Sequence, residues 1–277
     1  MLTSFMNRSY LFSPTCYVFA IQTPKLIMRS EVTAQHLALH RNILHELGQT
    51  LAPGARVLDF GCGAGNMVAE YCAAGYDAYG CDIQVANESE RVRPIDQETR
   101  ALPFADNTFD FVFSDQVLEH VQDHAQAFAE IARVMKPGAV SLHIFPAKLK
   151  PTEAHVFVPL GGAIQSPWWL TLWAVCGIRN SFQKGKGVRE VVALNFEYLH
   201  QRTNYLSKSQ IVAAASAYFD NLVFAERHLI KHSYGNARRI YPFVRLLPFI
   251  ASLYGTLYSR VIFLQKPNST ASQIESV

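Results

Sequence analysis

Val57-Leu58-Asp59-Phe60-Gly61-Cys62-Gly63-Ala64-Gly65 joins a short apolar run to three alternate glycines, with an acid at the hinge between them. Such a run reads as a strand feeding a tight turn, because glycine tolerates positive φ and lets backbone N–H groups approach a ligand closely. The helix expected next points its positive end at the same spot. A second apolar run, Ala78-Tyr79-Gly80-Cys81, ends in Asp82, where a doubly wound sheet offers a carboxylate to a ribose diol. The dinucleotide fingerprint G-x-G-x-x-G fails here: position 66 is Asn, and the last glycine falls one residue early. Asp59 at the strand tip repels a pyrophosphate and suits an ammonium or other cation. A cationic ligand is therefore expected, and a nicotinamide dinucleotide is disfavoured.

Outward from this stretch the pattern alternates. Leu37, Ile43, Leu44 and Leu47 stand close to helical spacing between Thr33 and Thr50, with Gly48 near the end, which predicts an amphipathic helix before the first strand. Strands are predicted over 55–59, 77–81, 109–114 and 139–145, and helices over 64–74 and 122–134. This order implies an α/β fold, a doubly wound and mostly parallel sheet whose ligand crevice lies beyond the strand C-termini. Asp59, Asp82 and Ser114-Asp115 all fall there. Later, Ser207-Lys208-Ser209-Gln210 opens a helix over Ile211 to Phe219 in a capping arrangement, and strands follow over Asn221 to Arg227 and Tyr258 to Gln265.

With 277 residues, 49% hydrophobic and 17% charged, the chain can bury a core of ordinary size, so disorder is not the default. A formal charge of +3 gives no electrostatic argument for nucleic acid, and none is expected as a partner. Cysteines 16, 62, 72, 81 and 176 form no C-x-x-C pair, which fits a reducing cytoplasm. Tyr10 to Ile21 is fairly apolar, but Pro14 interrupts it and no small-residue cleavage site follows, so residues 1–32 are expected to be an N-terminal extension rather than a signal peptide.

The assembled motifs resemble the class I S-adenosylmethionine-dependent methyltransferases, whose first motif is a hydrophobic strand, an acid and G-x-G-x-G. The likeness runs in order through Asp82-Ile83, the stretch Ala101-Leu102-Pro103-Phe104-Ala105-Asp106-Asn107-Thr108-Phe109-Asp110, the strand Phe111 to Asp115, Gln116-Val117-Leu118-Glu119-His120-Val121, and Val134-Met135-Lys136-Pro137-Gly138-Ala139-Val140, where Pro-Gly is expected to reverse the chain. Matching segments span roughly residues 55 to 146. The resemblance implies a seven-stranded sheet with its last strand antiparallel, and S-adenosylmethionine as cofactor. It also implies Gly61, Cys62, Gly63 and Gly65 around the methionine, Asp59 on its amino group, Asp82 on the ribose, Ile83 and Glu98 around the adenine, and Asp115 facing the methionine part. Asp96, close to Glu98, is a rival for the adenine contact. The chain so read is a methyltransferase domain over 33–277, with its core in 33–146, 207–230 and 258–267.

Two stretches fall outside the shared motifs and are expected to decide the acceptor. The insert 147–206 holds Trp168, Trp169 and Trp173 with His155, Phe157, Phe182, Phe196, Tyr198, His200 and Tyr205; it suits a cap over a small-molecule pocket, although most of these rings are expected simply to pack the insert onto the sheet. The arm 231–257 mixes Tyr241, Phe243, Leu246, Leu247 and Phe249 with Lys231, Arg238, Arg239 and Arg245. It is read as an intramolecular cap or dimer contact, or as a peripheral contact with the inner face of a membrane. The acceptor is expected to be a small molecule, a sugar or a lipid-linked intermediate, methylated at oxygen; a non-catalytic S-adenosylmethionine-binding scaffold is the alternative.

Methyl transfer from a sulfonium is an in-line displacement in which positioning and desolvation dominate, and a hydroxyl acceptor adds the need for a base. His120 is the first candidate, followed by His143 and His155, with His143 expected to be a core histidine of its strand and His120 equally suited to fixing its loop. In some similar O-methyltransferases an acid three residues before a Glu-His pair completes a divalent cation site. Here Gln116 stands in that place, the lost charge weakens a hard-cation site, and no metal is expected.

Overall fold

The computed structural model describes residues 27–85 and 88–268; the expected extension before residue 27 lies outside the described residues. Its elements are α1 (Ile27–Glu46), β1 (Arg56–Phe60), α2 (Asn66–Ala73), β2 (Asp77–Asp82), β3 (Val92–Pro94), β4 (Phe109–Asp115), α3 (His124–Val134), β5 (Met135–Pro146), α4 (Pro167–Val175), α5 (Val188–Arg202), α6 (Lys208–Ala215), β6 (Asn221–Phe224), α7 (Glu226–His232), α8 (Tyr241–Leu246), α9 (Phe249–Leu257) and β7 (Ser259–Gln265). The strands form one seven-stranded sheet in the order β3-β2-β1-β4-β5-β7-β6. β7 runs antiparallel to both of its neighbours, and the remaining pairs are parallel.

Successive residues Val57 and Leu58 are both fully buried although a strand turns them to opposite faces. Leu58 joins Phe109, Val112, Phe128 and Ile131 under α3 and α6, while Val57 joins Ile43, Leu44, Tyr71, Phe111 and Phe113 under α1, α2 and α7. Both faces are therefore covered, as a parallel sheet requires. Strand order reverses between β1 and β4, so the crevice at their carboxyl ends is the topological switch point.

Several expectations change in detail. Helix α1 begins before the expected Thr33, and its Glu46 ties it to α7 through His228 at 2.6 Å, His232 at 2.9 Å and Lys231. Lys136-Pro137-Gly138 does not separate helix from strand. Instead β5 starts at Met135 and carries a bulge: Phe109 pairs with Met135 but Phe111 pairs with Val140, and Gly138 takes the left-handed φ of 74° that the extra residues need. β3 was not legible, being three residues of which only Val92 is buried. The strand expected to reach Arg227 stops at Phe224, because Glu226 turns inward to meet Arg260 at 2.6 Å and helix α7 begins there.

The insert has its own small core of Val156, Val158, Leu170 and Leu199, against which Trp169, Trp173 and Tyr198 pack. Trp169 Nε1 donates to the Pro159 carbonyl at 2.7 Å. Trp168 and Phe182, by contrast, lie mostly exposed. In the arm, Val244 and Ala251 pack on Ile230 of α7, and Phe243, Leu246, Phe249 and Leu253 face outward. Among the described residues no helix is long and apolar enough to cross a membrane.

Candidate functional site

β1 delivers Asp59 to the switch point as a buried side chain. After Phe60 the chain turns sharply, with the Gly61 and Cys62 N–H groups both donating to the Cys81 carbonyl at 2.8 and 3.1 Å. Gly61 has φ 84°, and a Cβ built there would stand 2.4 Å from Val117 Cγ2, so this turn admits no side chain. Gly65 caps the N-terminus of α2 in the left-handed conformation. Cys62 is buried against Gly80, and burial raises its thiol pKa above the ordinary value; its part is to hold loop to strand.

Asp82 clamps the loop from the end of β2. Its Oδ2 accepts from the Gly63 N–H at 2.9 Å and its Oδ1 from the Gln84 N–H at 3.0 Å. Ile83 beside it is 46% exposed. Glu98 is exposed in the turn after β3, while Asp96 spends its Oδ1 on the Glu98 and Thr99 N–H groups at 2.9 and 2.7 Å. Of the two acids expected as rivals for an adenine contact, Asp96 shapes the turn, and Glu98 contributes only its backbone N–H to it.

Asp115 ends β4, and helix α1 comes down on it: His36 Nδ1 lies 3.1 Å from Oδ2 and His40 Nε2 3.3 Å from Oδ1, with His40 Nδ1 3.0 Å from the Tyr71 hydroxyl. Burial alone would raise the Asp115 pKa, but His40 and His36 hold it below the usual carboxylate range. His36 is raised in return by its hydrogen bond to Asp115. Neither histidine was singled out in the sequence, although His36 and His40 share one face of the predicted helix at i,i+4 spacing.

Asp59, Asp82 and Asp115 thus meet at the glycine loop. Burial first, then the charges of Asp115 and Asp82, push the Asp59 carboxyl well above its ordinary range. A cation placed among the three would relieve that repulsion, and a bulky anion would add to it. The site therefore suits a ligand carrying an ammonium or sulfonium, with open space beside Gly63, where nothing lies within 4 Å of a Cβ position. Each residue expected to hold S-adenosylmethionine lies along this carboxyl edge or, for Glu98, in the turn beside it. A surface cavity of about 320 Å³ opens elsewhere, lined by Gln49 to Ala55, Asp110 and Gly138 to Val140 at the amino edge of the sheet, away from these groups.

The candidate bases separate clearly. His143 is fully buried in β5, its Nδ1 2.8 Å from Ser114 Oγ, and burial drives its pKa down to about 3; it is a core residue out of reach of an acceptor. His120 lies in the short turn of 3-10 helix Leu118–His120 just after β4, with Nδ1 2.7 Å from the Arg202 carbonyl. Burial lowers its pKa, against the raising effect of that hydrogen bond. His155 of the insert stacks edge-on to it, ring centroids 4.9 Å apart. Glu119 between them is buried, and neither of its carboxylate oxygens bonds to another residue among those described. That the insert folds His155 back onto Glu119-His120 could not be read from spacing.

Residues 58–142 match the family model described as a methyltransferase domain. The chain is 33% identical over 126 residues to a sterol 24-C-methyltransferase of Schizosaccharomyces pombe, covering 40% of this chain and 33% of that protein. It is 40% identical over 92 residues to a demethylmenaquinone methyltransferase of Renibacterium salmoninarum, covering 31% and 39%, and 30% identical over 113 residues to an O-methyltransferase of Aspergillus nomiae, covering 35% and 50%. It spans a third to a half of the length of these curated relatives. Among solved structures, an S-adenosylmethionine-dependent methyltransferase from Mesorhizobium loti aligns with 86% of this chain and 100% of its own at 12% identity and a TM-score of 0.47. The stretch similar to a methyltransferase domain is thus the one that holds the glycine loop and the switch-point crevice.

Proposed function

We propose that the protein transfers a methyl group from S-adenosylmethionine to an oxygen of a small-molecule, sugar or lipid-linked acceptor. The observation that carries the reading is the meeting of Asp59, Asp82 and Asp115 at the glycine loop, whose N–H groups are held by the Cys81 carbonyl and by Asp82. Bound there, the cofactor supplies an electrophilic methyl on a positive sulfur. Asp59 takes its ammonium, Asp82 its ribose hydroxyls while keeping the Gly63 N–H, and Ile83 and Glu98 flank the adenine. Asp115, fixed by His36 and His40, contributes negative potential at the methionine end. On the acceptor side, His120 donates Nδ1–H to the Arg202 carbonyl and presents Nε2 with a free lone pair, the arrangement a proton acceptor needs. The named substrates of the relatives, a sterol and demethylmenaquinone, are apolar molecules, which favours a small or lipid-like acceptor here.

Calorimetry of the purified chain with S-adenosylmethionine and S-adenosylhomocysteine tests the cofactor. Asp82→Asn keeps the acceptor oxygen for the loop but removes the charge, so affinity should fall by about 1.5–3 kcal/mol with the fold unchanged. No heat with either ligand would refute the reading. Incubation with methyl-labelled cofactor and fractionated lipid, polysaccharide and small-molecule extracts then finds the acceptor; binding without transfer to any fraction would favour a non-catalytic scaffold. The arm supports peripheral membrane contact, since Phe243, Leu246, Phe249 and Leu253 face outward beside Arg238, Arg239 and Arg245. Co-sedimentation with anionic vesicles, lost on Phe249→Ser with Leu246→Ser, tests it.

A further inference from the structure

We propose that Glu119, His120 and His155 form a binding site for a divalent transition cation of the Zn²⁺, Fe²⁺ or Co²⁺ kind, assembled between the turn after β4 and the insert. One ligand atom from each of the three lies within 4.8 Å of the others. A cation with bonds near 2.1 Å needs donor separations of roughly 3–3.5 Å, so the side chains have to close by no more than about 1.8 Å. Rotation about side-chain bonds supplies that.

Each ligand is also prepared by a neighbour. His120 Nδ1 is held by the Arg202 carbonyl at 2.7 Å, which fixes the proton on Nδ1 and leaves Nε2 as the donor. His155 Nδ1 is held by Glu153 Oε1 at 2.8 Å, which does the same. Glu153 is itself buried and pinned by the Tyr205 hydroxyl at 2.6 Å and the Val156 N–H at 2.6 Å. Metal-bound histidines characteristically make this second contact to a carbonyl or carboxylate, which sets both tautomer and ring orientation. Glu119 is 1% exposed and lies next to His120, with neither oxygen bonded to another described residue. A buried carboxyl without a partner is costly whether charged or neutral, and a cation removes the cost.

Two imidazole nitrogens and one carboxylate favour a transition ion over Mg²⁺ or Ca²⁺, which prefer all-oxygen sets. Three protein ligands leave coordination positions open. The sequence argument against a metal rested on Gln116; here the missing ligand comes instead from His155. With the cation bound, the His120 lone pair is committed to it, so His120 acts as a ligand rather than a free base. The site does not depend on the methyl-transfer reading.

The test is titration of the tag-free full chain with Co²⁺ alone, followed by visible d–d absorption and by calorimetry. Saturation at one equivalent, displacement by Zn²⁺ and no competition from Mg²⁺ are expected. Glu153→Gln should weaken binding by 10–100-fold, and Glu119→Gln and His155→Ala by at least as much, with circular dichroism unchanged. Absence of a saturable site in the wild-type chain would overturn the proposal. So would unaltered binding by folded Glu119→Gln and His155→Ala, a thiolate charge-transfer band placing the ion on a cysteine, or preference for Mg²⁺.

Discussion

The turn at Gly61 admits a quantitative test of how the glycine loop is built. Gly61→Ala imposes two separable penalties. Holding an L-residue at φ 84° costs about 1–2 kcal/mol. The new Cβ must also displace Val117, whose Cγ2 and Cγ1 stand 2.4 and 2.6 Å from its position, and overpacking of this kind costs about 1–3 kcal/mol. The sum is about 2–5 kcal/mol, measurable as a shift in urea midpoint at constant m-value. Val117→Ala in the same chain removes both γ-carbons and should return the steric part alone, giving a coupling energy of about 1–3 kcal/mol in a double-mutant cycle. Gly75 is the internal control: it has φ 89°, but nothing lies within 4 Å of its Cβ position, so Gly75→Ala should cost only the backbone part. If Gly61→Ala costs no more than Gly75→Ala, or Val117→Ala gives no rescue, the close approach of loop and β4 turn is not what makes glycine necessary.

Arg260 and Glu226 form a buried pair at 2.6 Å beneath α9, so Arg260→Met should cost about 3–5 kcal/mol by stranding the carboxylate. Adding Glu226→Gln should recover most of that in the same unfolding assay; no recovery would mean that packing, not charge, holds the contact. The docking of α1 should depend on pH with a sign set by Asp115 and His36. Asp115 has a depressed folded pKa, so its contribution is present above about pH 4 and lost as pH falls through the folded value. His36 has a raised folded pKa, so its contribution is full below about pH 6.5 and lost as pH rises through the folded value. The His36 share is read as the difference in stability between wild type and His36→Gln, which should shrink as pH rises from about 6; a difference that does not change with pH would remove His36 from the account.

The alternation of apolar runs with helical spacing was enough to determine the doubly wound sheet, and Asp59 with its glycines was enough to locate the crevice. These signals are local: a strand buried on both faces must be continuously apolar, and a tight turn at a ligand must be glycine, whatever surrounds them. The cap at Ser207 and Gln210 was legible for the same reason, since both partners lie within one turn. Failures came where distant segments compete. β3 exists only because Gly80 offers it an edge, the strand after Asn221 ends early because Arg260 recruits Glu226, and Gly138 bulges within β5 because Phe109 and Phe111 fix the register on either side. The site divides likewise. Asp82 and the loop glycines could be named from their order along the chain, whereas the hold of His36 and His40 on Asp115 spans 79 and 75 residues. The meeting of His155 with Glu119 and His120 likewise depends on how a whole insert folds back. Spacing encodes what neighbouring residues do to one another; contacts between remote side chains are set by packing, which only the folded chain decides.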